Sequence, residues 1–314
     1  MAFVNVRSPI SKQTLKSINS ELTHVQFVSA LTDADYKAVA TRMRSFPDVT
    51  LRAYGSYDGT ITDLDFLRHF PFLRSFQADA LYHSLVSIEG LAYLPEDVRF
   101  IGLGQTKKKL SLSPLARFTD IRRLYLEGQT KDIDVVSGLG ELRSITLRSI
   151  TLPDLSLLLP LTKLRALALK LGGTKNLALL PDLKALDYLE LWMVKGLSDL
   201  SPVADLQHLE YLFLQSLRQV ESLPAMGELA RLQRLWIETM KGLTDLAPIR
   251  GAPCLRHLAA VDMGHLQPQA FEPLVGHPAL ETLRFGLGSK RKNDAVQRMI
   301  SLPRDSDWRK PLND

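Results

Sequence analysis

Cysteine and histidine are the residues of this sequence whose spacing could support metal binding. Cys254 and His257 have the C-x-x-H spacing found among zinc ligands, and His265 and His277 follow them. Cys254 lies before a predicted strand and His257 lies on its outward side, so the two side chains point in different directions. We therefore predict no metal site and interpret these histidines as solvent-exposed.

Glycine-rich turns and carboxylates are the other candidates for chemistry. The stretches "GLGQTKKK" at 102–109 and "GGTK" at 172–175 lack the G-x-x-x-x-G-K-[ST] spacing of a phosphate-binding loop, so we interpret both as turns. Glu190, Glu210 and Glu238 are predicted to lie near one another, but no third component completes a catalytic mechanism. The sequence predicts no catalytic residue, no cofactor and no enzymatic activity.

The composition is typical of a globular protein and indicates a compartment. Of 314 residues, 45% are hydrophobic and 23% are charged, and no apolar run is long enough for a signal peptide or a membrane span. Cys254 is the single cysteine, which excludes an internal disulfide and favours a reducing environment. We therefore predict a cytoplasmic protein with no membrane segment.

The distribution of charge argues against attraction of nucleic acid by the overall field. The formal net charge is +5, and segment 289–314 is markedly basic. The rest of the chain is therefore nearly neutral, which disfavours nucleic acid as a partner.

The elements that must position these side chains come from one repeated unit, Leu-x-x-Leu-x-Leu. Its second apolar position recurs every 21 to 25 residues. The aligned positions are Phe76, Ile101, Leu124, Ile145, Leu167, Leu189, Leu212, Leu235, Leu258 and Leu283. Each unit begins with the alternation of a strand and ends, as in 196–206, with the three-residue spacing of a short helical turn. Ser113 and Ser201, each followed by proline, are interpreted as helix N-caps.

These repeats resemble the leucine-rich repeat family, in particular its class with repeats of about 22 residues. The resemblance covers residues 70–287. It implies an α/β solenoid with a parallel β-sheet on the concave face, short helical or 3₁₀ turns on the convex face, and helical caps at both ends. The family's Asn ladder is replaced mostly by apolar residues in this chain, so the turn amides need other partners.

Three regions follow from the repeat. Residues 1–48 are predicted to form an N-terminal cap with irregular first repeats, and residues 49–288 the solenoid. Residues 289–314 are predicted to form a C-terminal cap helix, at 293–302, and a basic tail.

The first repeats are looser than the others. Two further units extend the pattern towards the N-terminus, with Val25 and Val49 at the aligned position. Between them, segment 31–46 is predicted to be helical, because Thr32 and Asp35 have the spacing of a capping box.

Alternation places every second strand residue on the side of the sheet that faces away from the leucines. The residue after the first leucine of each unit is arginine five times in succession. We call this set the arginine column: Arg74, Arg99, Arg122, Arg143 and Arg165, continued by Asp187, Glu210, Gln233, Arg256 and Glu281. A purely structural role, in which the arginine stems lie over neighbouring side chains, is the alternative to a binding role.

Across three adjacent repeats the outward positions become aromatic. They hold Tyr188, Glu190, Trp192 and Met193, then Tyr211 and Phe213, then Trp236 and Glu238. We predict an exposed aromatic surface, because five bare rings would rival the largest apolar patch of a typical monomer. The alternative is that the rings pair with one another and stabilise the sheet.

The predicted partner-binding set combines this aromatic surface with basic residues, since Tyr, Trp and Arg dominate binding hot spots. Its members are Tyr188, Glu190, Trp192, Met193, Tyr211, Phe213, Trp236, Glu238, Arg122, Arg123, Arg143, Arg148, Arg165 and Lys170. We predict a non-catalytic module that binds a protein on its concave face, in particular a cytosolic inhibitor or an immunity protein for a toxin. A monomer is favoured.

Two other functions stay open. One is binding of nucleic acid or an anionic ligand through the arginine column and a row of cations near the strand ends. We call this row the lysine row: Lys107, Lys131, Lys175, Lys195, Arg218 and Lys241. The other is a role as an effector or regulatory scaffold.

Overall fold

The structure is a computed structural model that describes residues 2–55 and 59–304. Within these residues, thirteen strands form one sheet in which they follow one another in chain order. The strands are β1 (Phe3–Val6), β2 (His24–Phe27), β3 (Thr50–Tyr54), β4 (Ser75–Asp79), β5 (Phe100–Leu103), β6 (Arg123–Glu127), β7 (Ser144–Arg148), β8 (Ala166–Lys170), β9 (Tyr188–Trp192), β10 (Tyr211–Gln215), β11 (Arg234–Glu238), β12 (His257–Val261) and β13 (Thr282–Phe285).

Helical segments lie between most pairs of successive strands. The described residues contain three α-helices, α1 (Lys12–Ser17), α2 (Asp33–Met43) and α3 (Lys290–Met299). Short 3₁₀ helices make the turns at Asp65–His69, Glu89–Tyr93, Ser113–Arg117, Ile133–Gly138, Ser156–Leu158, Leu180–Asp182, Ser201–Asp205, Ala247–Gly251 and Pro268–Leu274. The predicted strands are confirmed, and so are the 3₁₀ turns of the repeats from β3 to β13 except one: segment 216–233, between β10 and β11, contains no 3₁₀ helix.

The chain divides into two compact units, residues 1–145 and residues 146–314, which we call the N-terminal and C-terminal units. The predicted region boundaries at residues 48 and 288 are a separate division and stay predictions. Of the predicted basic tail, the part beyond residue 304 lies outside the described residues.

The strand register confirms most of the alignment made from the sequence. Phe76, Ile101 and Leu124 pair in succession in the N-terminal unit. In the C-terminal unit the successive partners are Leu167, Leu189, Leu212, Leu235, Leu258 and Leu283. All of these side chains are buried. Because one repeat cannot enclose its own leucines, each repeat depends on its neighbours for the core.

The first repeats differ from the prediction in two ways. Val25 pairs with Leu51, so the alignment that used Val49 is wrong by two residues. Val49 precedes β3, and Leu51 is the residue that β3 directs into the core. In addition, the sequence analysis missed β1, because its apolar alternation is only four residues long. This strand pairs in parallel with β2.

At several 3₁₀ turns, a backbone amide donates a hydrogen bond to the side chain two residues before it. The sequence analysis assigned the capping role to Ser113 and Ser201, two residues after the side chains that accept these bonds. The Ser201 amide donates to Asp199 Oδ1 over 2.8 Å, and the Ser113 amide donates to Ser111 Oγ over 3.2 Å. Ser113 and Ser201 are therefore the first helical residues, and their interpretation as N-caps is wrong. The same bond recurs from Ser156 to Asp154, from Ala247 to Asp245 and from Ala178 to Asn176.

The turn amides find partners without an Asn ladder. In the N-terminal unit, the side chain of buried Gln129 bonds to two backbone groups. Its amide nitrogen donates to the Gly104 carbonyl over 3.0 Å, and its oxygen accepts a hydrogen bond from the Leu110 amide. In the C-terminal unit, the residue after each of the strands β7 to β11 has positive φ, and its amide donates to the carbonyl at the end of the next strand. These bonds run from Ser149 to Lys170, Leu171 to Trp192, Met193 to Gln215, Ser216 to Glu238 and Thr239 to Val261.

Both predicted helices are present. The Thr32 hydroxyl accepts the Asp35 amide over 3.2 Å and caps α2, as its spacing predicts. Helix α3 begins at Lys290, three residues before the predicted start, because the Ser289 hydroxyl accepts the Lys292 amide over 3.2 Å.

Candidate functional site

The candidate site lies on the face of the sheet opposite the leucine core, which we call the strand face. In β9, Leu189 and Leu191 enter the core, so Tyr188, Glu190 and Trp192 lie on the strand face.

Neighbouring strands add more rings to this face of the C-terminal unit. We call the group of Ala166, Tyr188, Tyr211 and Phe213, with Trp236 packed against it, the ring cluster. Tyr188 and Tyr211 meet edge to face with ring centroids 5.2 Å apart, and Phe213 stacks on Trp236 at 5.8 Å.

The ring cluster corrects the prediction of a bare aromatic surface. Tyr188 is 0% exposed, Tyr211 3% and Phe213 4%. Adjacent strands lie about 4.8 Å apart, so rings on successive strands fill the space beside one another. The prediction that these three rings are exposed is therefore wrong, and they stabilise the sheet by packing together.

Glu190 is also buried, contrary to the prediction. Its Oε2 accepts a hydrogen bond from the Tyr188 hydroxyl over 3.0 Å and pairs with Lys170 Nζ at 3.0 Å. The Glu190 side chain is 1% exposed and that of Lys170 is 18% exposed. Burial, together with the Glu190 charge, raises the pKa of the Tyr188 phenol far above its ordinary value. The acid and the base therefore form a largely desolvated pair inside the ring cluster.

Trp192 and Met193 lie at the end of β9 and remain accessible. Trp192 is half-buried, and Met193 is 42% exposed. The Arg148 guanidinium carbon lies 5.5 Å from the centre of the Trp192 ring, which is a cation–π contact. Met193 has a φ of 50°, in the left-handed region. We call Trp192 and Met193 the open margin of the ring cluster.

Trp236 and Glu238 are half-buried and linked to each other. Trp236 Nε1 donates to Glu238 Oε2 over 2.8 Å, and Gln215 Nε2 donates to Glu238 Oε1 over 2.8 Å. The Arg284 guanidinium lies 5.9 Å from the centre of the Trp236 ring. These contacts fix the orientation of the Trp236 ring, and part of it stays accessible.

The arginine column has mixed surroundings. In the C-terminal unit, Arg165 pairs with Asp187 through an Nε–Oδ2 contact of 2.6 Å. In the N-terminal unit, Arg122 and Arg143 are exposed. Arg123, which follows the column residue Arg122, is half-buried with its guanidinium 4.3 Å from the Phe100 ring. An internal ion pair therefore accounts for Arg165, but not for Arg122 or Arg143.

A polar network on the strand face of the N-terminal unit was missed by the sequence reading. Arg52 donates through Nε to Asp79 Oδ1 over 2.7 Å and through Nη1 to Gln26 Oε1 over 2.6 Å. Gln26 in turn donates to Asn5 Oδ1 over 2.9 Å. The outward positions of β1 to β4 would have predicted it, had the register of the first repeats been right.

The residues considered for metal binding have other environments. Cys254 is exposed, His257 Nδ1 lies 3.0 Å from Thr282 Oγ1, and His265 Nε2 lies 2.7 Å from the Leu243 carbonyl. His277 is buried, with Nε2 3.3 Å from the Ile249 carbonyl, so its interpretation as solvent-exposed is wrong. Across residues 2–55 and 59–304, no three His, Cys, Asp or Glu side chains are grouped to hold a metal ion. Over the same residues, no helix has the length and apolarity needed to cross a membrane.

Comparison with known proteins identifies the architecture. No family model and no curated protein matches the sequence. Among solved structures, an internalin (inlF) from Listeria monocytogenes str. 4b F2365 superposes with a TM-score of 0.60 over 93% of this chain and 88% of that one, at 18% sequence identity. The chain has the leucine-rich-repeat fold. An internalin C2 (inlC2) from the same strain gives a TM-score of 0.41 at 22% identity, covering 81% of this chain and 84% of that one. The superposition on the inlF internalin confirms the leucine-rich-repeat resemblance found in the sequence.

Proposed function

We propose that this leucine-rich-repeat chain is a non-catalytic module that binds a protein partner through the strand face of its C-terminal unit. The contact residues in this proposal are the open margin, Trp192 and Met193, with Trp236 and Glu238 beside it. Arg148 and Lys170 supply positive charge at its border. The buried side chains of the strand face are not contact residues in this proposal, and they support the contact residues by packing. They are Tyr188, Glu190, Tyr211 and Phe213.

The observation that carries the proposal is that Met193, an apolar residue, is exposed and adopts an unfavourable backbone conformation. Met193 is 42% exposed and adopts a φ of 50°, where glycine or asparagine is more stable than methionine. Neither its packing nor its backbone explains a methionine at this position. Contact with a partner does, because methionine and tryptophan are enriched in interfaces.

The experiment compares capture of proteins from a lysate of the source cells by three purified forms of the chain. These are the unmodified chain, Trp192→Ala, and the control Val275→Ser, which changes another exposed apolar residue of the C-terminal unit. A genuine partner is retained by the unmodified chain and by Val275→Ser and is lost with Trp192→Ala. Titration of that partner should then show affinity reduced at least about 30-fold, or about 2 kcal/mol.

The proposal fails if the identified partner binds Trp192→Ala and the unmodified chain with equal affinity. Circular dichroism of each variant excludes unfolding as the cause of any loss. The half-buried position of Trp192 predicts that the variant keeps its fold.

A narrower proposal is that the module is a cytosolic inhibitor, in particular an immunity protein that neutralises a toxin. The single cysteine, Cys254, suits a reducing compartment. Co-expression with the protein identified by capture decides between this role and that of an effector or regulatory scaffold. A toxin partner should stop growth alone and permit it in the presence of the chain.

Anion binding along the lysine row is the second candidate. Lys175, Lys195, Arg218 and Lys241 are all exposed in the C-terminal unit, at the turns that follow successive strands. Salt separates the two candidates, because binding to phosphates weakens steeply as salt rises, whereas binding anchored by Trp192 and Met193 changes little.

A further inference from the structure

We propose that Arg122 and Arg143, in the N-terminal unit, form an anion-binding pair that binds acidic side chains of a protein. This inference goes beyond the proposed function, because it assigns an acidic ligand to a second site outside the C-terminal unit. It begins from a difference among the arginines of the column.

Four arginines of the column have an acidic partner within 4 Å. The pairs are Arg74 with Asp97 at 3.1 Å, Arg99 with Asp48 at 3.7 Å, Arg165 with Asp187 at 2.6 Å and Arg256 with Glu281 at 2.7 Å. An internal carboxylate is therefore the usual neighbour of an arginine in this column.

Arg122 and Arg143 depart from that arrangement. Both side chains are exposed, and among the described residues neither has an acidic partner. The two residues lie side by side, because the Arg143 amide donates to the Arg122 carbonyl over 2.8 Å. Like charges in directly adjacent positions destabilise a sheet. The pair therefore lacks a counter-charge that an external anion would supply.

Carboxylates of a protein fit this pair better than the phosphates of a nucleic acid. The planar guanidinium fork binds a carboxylate through two parallel hydrogen bonds. Adjacent strands are about 4.8 Å apart, so two neighbouring guanidinium groups match one or two carboxylates. A phosphate chain needs several cations in succession. The next arginine in the column, Arg99, already has Asp48 beside it.

The direct test measures binding of a fluorescently labelled hexaglutamate peptide by anisotropy at low salt. The test variant is Arg122→Gln/Arg143→Gln. The control, Arg74→Gln/Arg256→Gln, removes the same two positive charges from arginines that have acidic partners. We expect the test variant to lose at least about 10-fold in affinity and the control to lose less than about 2-fold.

Three results would overturn the proposal. Equal losses in the two variants would show that only net charge matters, and undetectable binding to the unmodified chain would show that no site exists. Tighter binding of a six-residue oligothymidylate, lost in the same test variant, would assign the pair to phosphates instead.

A second measurement needs no ligand. Arg143→Glu should raise the melting temperature, because Arg122 then gains an acidic neighbour, whereas Arg256→Glu should lower it, because Glu281 loses its cation. A lower melting temperature of Arg143→Glu would contradict the inference that Arg122 lacks a counter-charge.

The peptide assay also separates this inference from the proposed function. The peptide assay contains no protein partner, so a failure of the partner capture experiment does not decide the peptide result.

Discussion

The two units carry the same repeat but different chemistry on their strand faces. In the N-terminal unit, Arg52 joins Gln26 and Asp79 in a hydrogen-bonded network. In the C-terminal unit, rings surround the Glu190 carboxylate, and Lys170 supplies the positive charge. In both units these side chains bond or pack with one another across neighbouring strands.

The difference shows that a side chain that faces away from the leucine core is not always accessible to a binding partner. In the polar network, the side chains of Arg52 and Asp79 stay 24% and 15% exposed. Rings on successive strands exclude water, so Glu190 is sealed although it lies outside the leucine core. A partner can therefore reach only the margin of the ring cluster.

Removing the buried acid should have the largest effect. Glu190→Ala leaves the Lys170 ammonium and the Tyr188 hydroxyl without their acceptor in a desolvated site. We expect the free energy of unfolding to fall by about 3 kcal/mol or more, measured by urea denaturation. The double variant Lys170→Met/Glu190→Leu removes both charges and should recover most of the loss. A loss as large in the double variant would show that packing, not the unpaired charge, is responsible.

The corresponding change in the N-terminal unit should cost less. Asp79→Ala removes both hydrogen bonds that Arg52 makes to this carboxylate, but the guanidinium can turn to water. We expect a loss of about 1 to 2 kcal/mol in the same denaturation experiment. If Asp79→Ala costs as much as Glu190→Ala, the two strand faces do not differ in desolvation and the comparison fails.

The open margin should show stability and binding changing in opposite directions. Met193→Asn places a residue that tolerates positive φ at this turn, so we expect a gain of about 0.5 to 1 kcal/mol in unfolding free energy. Partner affinity should fall in the same variant. Ser149→Asn is the matched control, because Ser149 has a φ of 52° in the same unit. The control should gain stability and keep its affinity; loss of affinity in both variants would remove Met193 from the site.

The sequence predicts the repeat well because leucine spacing reports directly on the core. The partners from Leu167 to Leu283, the 3₁₀ turns and the Thr32 cap of α2 all follow from local spacing. The first repeats were harder, since Val49 and Leu51 both fit the apolar pattern and only strand pairing selects Leu51.

Burial on the strand face could not be predicted in the same way. Alternation assigns Tyr188 and Glu190 to one face of β9, but their exposure depends on what the next strands carry. The small Ala166 on one side and Tyr211 on the other leave space that Tyr188 fills completely. The same limit applies to the arginine column, where only the structure distinguishes Arg165 beside Asp187 from the exposed Arg122 and Arg143.

Titration of the tyrosines tests the closed ring cluster most directly. Burial raises the pKa of the Tyr188 and Tyr211 phenols, whereas an exposed tyrosine ionises near pH 10. Near-ultraviolet absorbance is followed from about pH 8 to 11.5 in the unmodified chain, Tyr188→Phe and Tyr211→Phe, with circular dichroism recording the fold. Because neither buried phenol should ionise in this range, both variants should show the same absorbance change as the unmodified chain. An absorbance change smaller by one tyrosine in Tyr188→Phe or Tyr211→Phe would contradict a closed cluster on the strand face of the C-terminal unit.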